Sequence, residues 1–247
     1  MGEFLPREVA NILWAYAAMD LSPSEGVLGP LCELATDIIG EAMRVRGDTG
    51  LVKMEQKLAL QMMVSQMRLF LLSAELRGGE RSNTAVAAMR DAIGAMWKDA
   101  LSASPPQESR LQREVARTVK SLMSVWCEEE VVDVRTGYSI DLLVVPRDVI
   151  VGGKQGDGGS QVRGEVEAAD LSPTLSRQNR KVAMEVDGPS HFLAGTREPK
   201  GATVMKRRIL EALGYHVVSV PYWEWYQLRG DDDKMAYVRR LLDGIRP

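Results

Sequence analysis

The segment Val182–Phe192 constrains the fold of this chain more than any other stretch. In Val182–Asp187, apolar residues alternate with an alanine and two acids, Glu185 and Asp187, which is the period-two pattern of a β-strand. Gly188-Pro189 follows directly and predicts a turn, because proline fixes φ and donates no hydrogen bond to a sheet. We therefore expect a buried strand that ends at two carboxylates.

The residues after this turn predict a continuation in helix–strand–helix order. A helical pattern covers Val204–Leu213, with Gly214 as its C-terminal cap, and His216–Val220 reads as a second strand. The final helix is expected over Asp232–Leu242, where the acids at its start suit a helix N-terminus.

The residues before the central segment predict a helix and a β-hairpin. Ser109–Trp126 is amphipathic at helical spacing, and Glu128–Val134 and Tyr138–Val145 read as strands joined by a turn at Arg135–Gly137. Asp141 interrupts the second strand. An aspartate in an apolar strand is costly unless it is paired, hydrogen-bonded or bound to a metal.

The N-terminal half predicts four helices and no strand. They cover Leu5–Met19, Val27–Val45, Lys53–Leu76 and Ser82–Leu101. Helix pairs of this length are units of an α-solenoid, but two pairs are fewer than such arrays usually need. We therefore expect this half to dock on the C-terminal domain or to end a longer array, with other proteins as partners.

Proline and glycine content predicts the domain boundaries. Ser102–Gln107 contains two prolines and separates a helical region, residues 1–104, from a C-terminal domain, residues 108–247. Residues 148–180 hold six glycines and few large apolar side chains, which predicts a flexible insertion within that domain.

Charge and cysteine content exclude several classes of function. The net charge of −3 argues against a chain that coats nucleic acid through its overall field. Residues 1–108 carry 10 basic and 14 acidic side chains, and residues 109–247 carry 21 basic and 20 acidic side chains. Binding of a polyanion would therefore need a local patch of basic residues. Cys32 and Cys127 have no CxxC partner and are expected to be reduced, packed thiols. No apolar run approaches the roughly 18–20 residues of a membrane span, so no membrane partner is expected.

Four ordered motifs resemble the RAP domain family. They are MEVDGPSHF at Met184–Phe192, KRRIL at Lys206–Leu210, LGY at Leu213–Tyr215 and VPYWEW at Val220–Trp225. The resemblance implies RNA binding in mitochondria or other organelles and a fold similar to the PD-(D/E)XK nucleases. Met1–Phe4 lacks the character of a transit peptide, so a mitochondrial location is expected from the resemblance alone. The phrase Val9–Ala17 resembles the degenerate helical repeats that often precede RAP domains.

We therefore predict an α+β fold, with an all-α helical-repeat layer followed by an α/β domain resembling the PD-(D/E)XK nucleases. Active nucleases of that type hold Mg²⁺ with carboxylates. Asp141 matches the first acid and Glu185 the second, while Asp187 stands where the motif places a lysine; Glu114 matches a further acid of some members. These three strand acids are the candidate metal ligands and catalytic residues. Because the lysine is missing, we favour a protein without catalysis or cofactor, with a Mg²⁺-dependent endoribonuclease as the alternative.

The predicted RNA contacts combine basic and aromatic side chains near the Gly-Pro turn. They are His191, Arg197, Lys200, Lys206, Arg207, Tyr222 and Trp223, with Arg208 in the same basic run. Arg and Lys would contact phosphates, and aromatic rings stack on unpaired bases. The run is equally typical of a solvated outer face, and His191 of a structural hydrogen bond; Phe192 and Trp225 are expected to pack in the core. Expected roles are rRNA or transcript processing or stabilisation, or service in a mitochondrial ribosome. A purely structural subunit is the third hypothesis.

Overall fold

The structure is a computed structural model that describes residues 4–49, 54–78, 83–100, 109–146 and 181–243. The predicted linker Ser102–Gln107 and the predicted insertion 148–180 lie outside these residues. The described residues divide into two compact units, each made of separate chain segments. The helical unit combines the N-terminal helices with residues 132–139 and 189–212, and the sheet unit combines most of the remaining C-terminal residues. The division at 104–108 remains a prediction.

The helical unit contains the four predicted N-terminal helices. They are α1 (Pro6–Ala18), α2 (Glu25–Thr49), α3 (Met54–Leu76) and α4 (Thr84–Ala100). The helix α2 continues past the end expected at Val45. Asn83 caps α4, because its side-chain oxygen accepts hydrogen bonds from the backbone N–H groups of Ala85 and Val86 at 2.9 and 3.2 Å.

The four helices pack as two stacked pairs. The helix α1 lies against α3, and α2 lies against α4. Gln66 donates to Asn11 at 3.1 Å and Arg77 donates to Asp20 at 3.1 Å, so α1 and α3 run in the same direction. Their apolar faces meet in a core that includes Leu13, Ile39, Met67, Phe70, Leu71, Met89 and Ile93. This stacking of first on third and second on fourth is typical of helical repeats.

The described residues form one mixed sheet of four strands. Its strands are β1 (Val125–Val132), β2 (Ser139–Pro146), β3 (Val182–Asp187) and β4 (His216–Pro221), in the spatial order β1-β2-β3-β4. The strands β2 and β3 are antiparallel, and β3 and β4 are parallel. Together with the helices, this sheet confirms the predicted α+β class.

The C-terminal helices are α5 (Arg110–Lys120), α6 (Gly201–Ala212), α7 (Tyr222–Trp225) and α8 (Gly230–Asp243). The prediction of one helix through Trp126 was wrong. The helix α5 ends at Lys120, and Trp126 lies in β1, which begins at Val125. Pairing of β1 with β2 outweighs the helical spacing of Trp126, since β-branched and aromatic residues pack well on a sheet.

One face of the sheet forms the core of the sheet unit. Side chains from α5, from α8 and from Trp225 pack against it; the cluster includes Leu111, Val115, Val119, Leu142, Val144, Met184, Val186, Val218, Val220, Tyr237 and Val238. The side chains of a strand alternate between its two faces, so the residues between these point to the other face.

Neither Cys32 nor Cys127 forms a disulfide. Cys32 is buried, and Cys127 is half-buried in the sheet unit. Burial raises the pKa of the Cys127 thiol to about 11. The thiolate, which is the reactive form, is therefore scarce near neutral pH. None of the helices within the described residues is long and apolar enough to span a bilayer.

Candidate functional site

The three predicted acids share one face of the sheet. Glu185 and Asp187 are two residues apart in β3, so their side chains point the same way. The register pairs Leu142 with Met184 and, continued by one residue, sets Asp141 opposite Glu185. Asp141 Oδ2 accepts a hydrogen bond from the backbone N–H of Val186 at 2.7 Å, which ties β2 to β3 at this level.

Two of the three acids on this face are closed to water, whereas Asp141 is half-buried. Glu185 is 2% exposed and Asp187 is 1% exposed. In β4, Ser219 lies opposite Glu185, and its hydroxyl donates a hydrogen bond to Asp187 Oδ2. A buried carboxylate requires such partners, because its desolvation is otherwise costly. The tight Asp187–Ser219 pair gives this carboxylate a structural partner within the sheet.

The acids do not meet as a set of metal ligands. Among the described residues, no three His, Cys, Asp or Glu side chains form a group able to hold a metal ion. One oxygen of Asp141 is engaged by the Val186 N–H, and one of Asp187 by the Ser219 hydroxyl. This face therefore gives no support to the three-acid Mg²⁺ site that the nuclease resemblance implied, and we derive no metal-dependent step from it.

Glu114 belongs to a different cluster. It lies on α5, which packs on the apolar face of the sheet and not on the acid face. Its Oε2 accepts a hydrogen bond from the indole N–H of Trp225 at 3.3 Å and lies 3.5 Å from Lys234 Nζ, while Arg110 Nε lies 3.2 Å from Oε1. The Trp225 hydrogen bond, with help from Arg110 and Lys234, holds the pKa of the Glu114 carboxyl below its usual value. This geometry makes Glu114 a link between α5, α7 and α8.

The lowered pKa of Glu114 predicts a loss of stability in acid. A carboxyl whose folded pKa lies below its unfolded value of about 4.3 stabilises the fold above that value, and the contribution fades as pH falls through the folded pKa. We expect urea unfolding from pH 7 to 3 to show that Glu114→Gln lacks this component of the acid slope. A slope identical to that of the parent chain would contradict the assignment; Glu128→Gln, an exposed acid, serves as the control.

The loop after β3 is held by its own backbone and side chains. Pro189–His191 forms one 3-10 turn, and Phe192 pairs with Pro199 in an isolated bridge. The carbonyl of His191 accepts hydrogen bonds from the Lys200 N–H at 2.9 Å and from the Thr203 hydroxyl at 3.1 Å. Phe192 is 5% exposed, in line with the predicted packing role. Arg197 and Lys200 are exposed on this ordered loop, and His191 is half-buried.

The predicted basic run divides into parts with different surroundings. Arg197 and Lys200 are exposed, whereas Lys206, Arg207 and Arg208 on α6 are half-buried. Lys206 Nζ lies 6.0 Å from the centre of the Tyr138 ring, within the range of a cation–π contact. The run is therefore not one uniform surface.

Arg208 has a structural role that sequence reasoning missed. Its guanidinium donates to the carbonyl of Ala17 at 2.5 Å and lies 3.5 Å from the Asp20 carboxylate, which also pairs with Arg77. Asp20 has φ of +57°, a left-handed conformation that aspartate tolerates better than most residues. The contact fastens α6 to the end of α1. No local signal separates Arg208 from its neighbours, because the partners lie about 190 residues earlier.

The predicted aromatic contacts lie on the short helix α7 in the sheet unit. Tyr222 and Trp223 are both half-buried, and their ring centres are 5.2 Å apart in a T-shaped arrangement. Trp225 is fully buried, which confirms its predicted place in the core. Tyr226 was not predicted, yet at 62% exposure it is the most exposed aromatic side chain of the described residues. Successive side chains of a helix are rotated by about 100° around its axis, so the residue after buried Trp225 could have been predicted to face away from the core.

The candidate residues thus occupy both units. The acids and the α7 aromatics belong to the sheet unit, whereas His191, Arg197, Lys200, Lys206 and Arg207 belong to the helical unit. Within the sheet unit, the structure brings Asp141, Glu185 and Asp187 to one face of the sheet. Within the helical unit, the loop and α6 carry the basic residues.

Known proteins match the same part of the chain. Residues 184–241, from β3 to α8, match the sequence profile of the RAP domain family. A chloroplastic RAP domain-containing protein of Oryza sativa subsp. japonica is 30% identical over 134 residues, which cover 54% of this chain and 15% of that protein.

Two mitochondrial proteins show shorter similarities. FAST kinase domain-containing protein 5 of Macaca fascicularis is 37% identical over 83 residues, covering 32% of this chain and 11% of that protein. FAST kinase domain-containing protein 1 of Mus musculus is 34% identical over 76 residues, which cover 30% of this chain and 9% of that protein. The chain spans 15% or less of the length of these relatives. The profile match and the four ordered motifs together identify residues 184–241 as a RAP domain.

Proposed function

We propose that this chain is an organellar RNA-binding protein whose RAP domain contacts the RNA backbone without cleaving it. The observation that carries the proposal is the match of residues 184–241 to the RAP domain family, because resemblance to that family implies RNA binding. The relatives named as mitochondrial and chloroplastic support an organellar location. Transcript stabilisation or processing, or service in a mitochondrial ribosome, are the cellular roles that suit such a protein.

The exposed loop residues supply the proposed phosphate contacts. Arg197 and Lys200 extend from a loop whose two ends are joined by the Phe192–Pro199 bridge and by the hydrogen bond from Lys200 to His191. A positioned cation loses less conformational entropy on binding than one on a loose loop. Contacts of this kind set affinity and position, not sequence preference. The half-buried residues His191, Lys206 and Arg207 would play a secondary part, and Tyr222 and Trp223 would stack on unpaired bases.

The environment of the acids supports binding without catalysis. A nuclease metal needs carboxylate oxygens that water and phosphate can reach. Glu185 and Asp187 are almost completely buried, and Asp187 accepts a hydrogen bond from Ser219. The lysine of the nuclease motif is also replaced by Asp187. These features favour a structural role for the acids within the sheet.

The dependence of RNA affinity on salt tests the proposal. For single strands, log K falls with log salt by about 0.7 for each phosphate contact. We expect the double variant Arg197→Gln, Lys200→Gln to flatten this slope by about 1.4, measured by fluorescence anisotropy with labelled oligouridine from about 50 to 200 mM salt. Arg7→Gln with Lys57→Gln, which removes two exposed charges elsewhere, should leave the slope unchanged.

Three outcomes would overturn the proposal. Affinity that does not change with salt, or no measurable binding by the parent chain, would remove phosphate recognition as its function. Accumulation of cleavage products in the presence of Mg²⁺, lost in Asp141→Ala, would replace it with the endoribonuclease alternative.

A further inference from the structure

The exposed face of α5 carries a row of four basic side chains. Arg110, Arg113, Arg117 and Lys120 follow one another at spacings of three, four and three residues, which places them on one side of a helix. All four are exposed, while the opposite side of α5 packs in the core of the sheet unit. With a rise of 1.5 Å per residue, this row, here called the α5 stripe, extends over about 15 Å.

The α5 stripe keeps much of its positive charge. Arg110 pairs with Glu114, but the Arg110 side chain is 86% exposed, and Glu114 is also held by Trp225 and Lys234. Lys120 pairs with Glu129 of β1. Within the described residues, Arg113 and Arg117 take part in no ion pair. The two central members of the row are therefore available to an external anion.

Helix stability does not account for the stripe. Cations near a helix C-terminus are favourable, which suits Arg117 and Lys120. Arg110 and Arg113 instead lie near the N-terminus, where cations are unfavourable, and the first turn of α5 contains no acid. An ordinary solvated face would carry charges of both signs. Two of the four cations, Arg110 and Arg113, therefore lie against the helix dipole, which indicates a role other than helix stability.

We propose that the α5 stripe is a second surface that binds the phosphate backbone of RNA, outside the matched residues 184–241. This inference rests on the proposed RNA-binding function. Arginine suits this task, because its planar guanidinium binds phosphate oxygens through two parallel hydrogen bonds. The stripe contributes affinity along a strand without reading bases.

The double variant Arg113→Gln, Arg117→Gln tests the inference with the same oligouridine. We expect the salt slope to flatten by about 1.4, and by about 2.8 when it is combined with Arg197→Gln, Lys200→Gln, because separate contacts add. Arg113→Lys with Arg117→Lys keeps the charge and should retain the parental slope. Glutamine has nearly the helix propensity of arginine, so the midpoint of thermal unfolding should not fall below that of the parent.

Three other outcomes would contradict the inference, the proposed function or both. If the α5 variant keeps the parental slope while Arg197→Gln, Lys200→Gln flattens it, the inference fails and the proposed function stands. If Arg7→Gln with Lys57→Gln flattens the slope as much, the effect is one of net charge, and the inference fails. If the parent chain binds no RNA, the proposed function fails and the inference fails with it.

Discussion

Replacement of Trp225 by alanine should lower the free energy of unfolding of the sheet unit by about 3–5 kcal/mol. Trp225 is fully buried and is the largest of the fully buried side chains. It packs among residues of α5, β3, β4 and α8, with its ring centre 6.3 Å from that of Tyr237 in an edge-on arrangement. The substitution creates a large cavity and removes the indole N–H that Glu114 accepts, so two costs add.

Two control variants separate these costs. Trp225→Phe keeps most of the packing and loses the hydrogen bond, so it should cost less than Trp225→Ala. Trp223→Ala removes a half-buried ring of the same motif and should cost clearly less than either change at 225. Urea unfolding followed by far-ultraviolet circular dichroism measures the differences. A loss below about 1 kcal/mol for Trp225→Ala would contradict its assigned place in the core.

Replacement of Asp133 by alanine should destabilise the helical unit by about 3 kcal/mol. The Asp133 side chain is 2% exposed and organises the β1–β2 turn. Its Oδ1 accepts from the backbone N–H groups of Arg135 and Thr136 at 3.0 and 3.1 Å, and Arg135 Nη2 donates to Oδ2 at 2.6 Å. Alanine would leave the buried N–H of Thr136, the part-buried N–H of Arg135 and the half-buried Arg135 guanidinium without this acceptor.

The effect should extend beyond the turn itself. Arg68 of α3 donates to the carbonyl of Arg135 at 3.2 Å, and Trp97 of α4 donates to the carbonyl of Val134 at 2.8 Å. Asp133 therefore stabilises the turn whose carbonyl groups accept hydrogen bonds from α3 and α4. Asp133→Asn keeps an acceptor for the backbone and loses the ion pair, so it should fall between the parent and Asp133→Ala in thermal unfolding. Equal stability of all three would show that the turn does not depend on this carboxylate.

These stability variants also bear on the function. The motif Val220–Trp225 contains residues with opposite surroundings, since Trp225 is buried and Trp223 is half-buried. RNA binding should respond to Trp225→Ala only to the extent that the protein unfolds. A loss of affinity at a temperature where the variant remains folded would point to a direct contact and would contradict the core assignment.

Much of the fold could be predicted from local patterns. The strand Val182–Asp187 was predicted with the bounds that the structure shows, because alternation of apolar and polar residues is a property of neighbouring positions. The four N-terminal helices were predicted within a few residues for the same reason. The end of α5 was not, since apolar residues at helical spacing continued into a segment that pairs with β2.

The candidate site was predictable only in part. Strand alternation alone places Glu185 and Asp187 on one face, but their burial and the Asp187–Ser219 hydrogen bond depend on β4, more than 30 residues away. The cluster of basic residues in and before α6 could be predicted from the residue types alone. The sequence did not predict that Arg197 and Lys200 are exposed while Arg208 has a structural role. Arg208 contacts Ala17 and Asp20 only in the folded unit.

By itself, the sequence determined the elements of secondary structure and the RAP motifs, because both depend on the type and spacing of residues close together in the chain. Only the tertiary structure decided which charged side chains remain exposed and which acids are enclosed. Burial, ion pairing and hydrogen bonding join residues that are distant in the chain, and the same arginine binds solvent or a helix end according to where the fold places it. For this reason Arg208 links α6 to the end of α1, while Arg113 and Arg117 are exposed on α5.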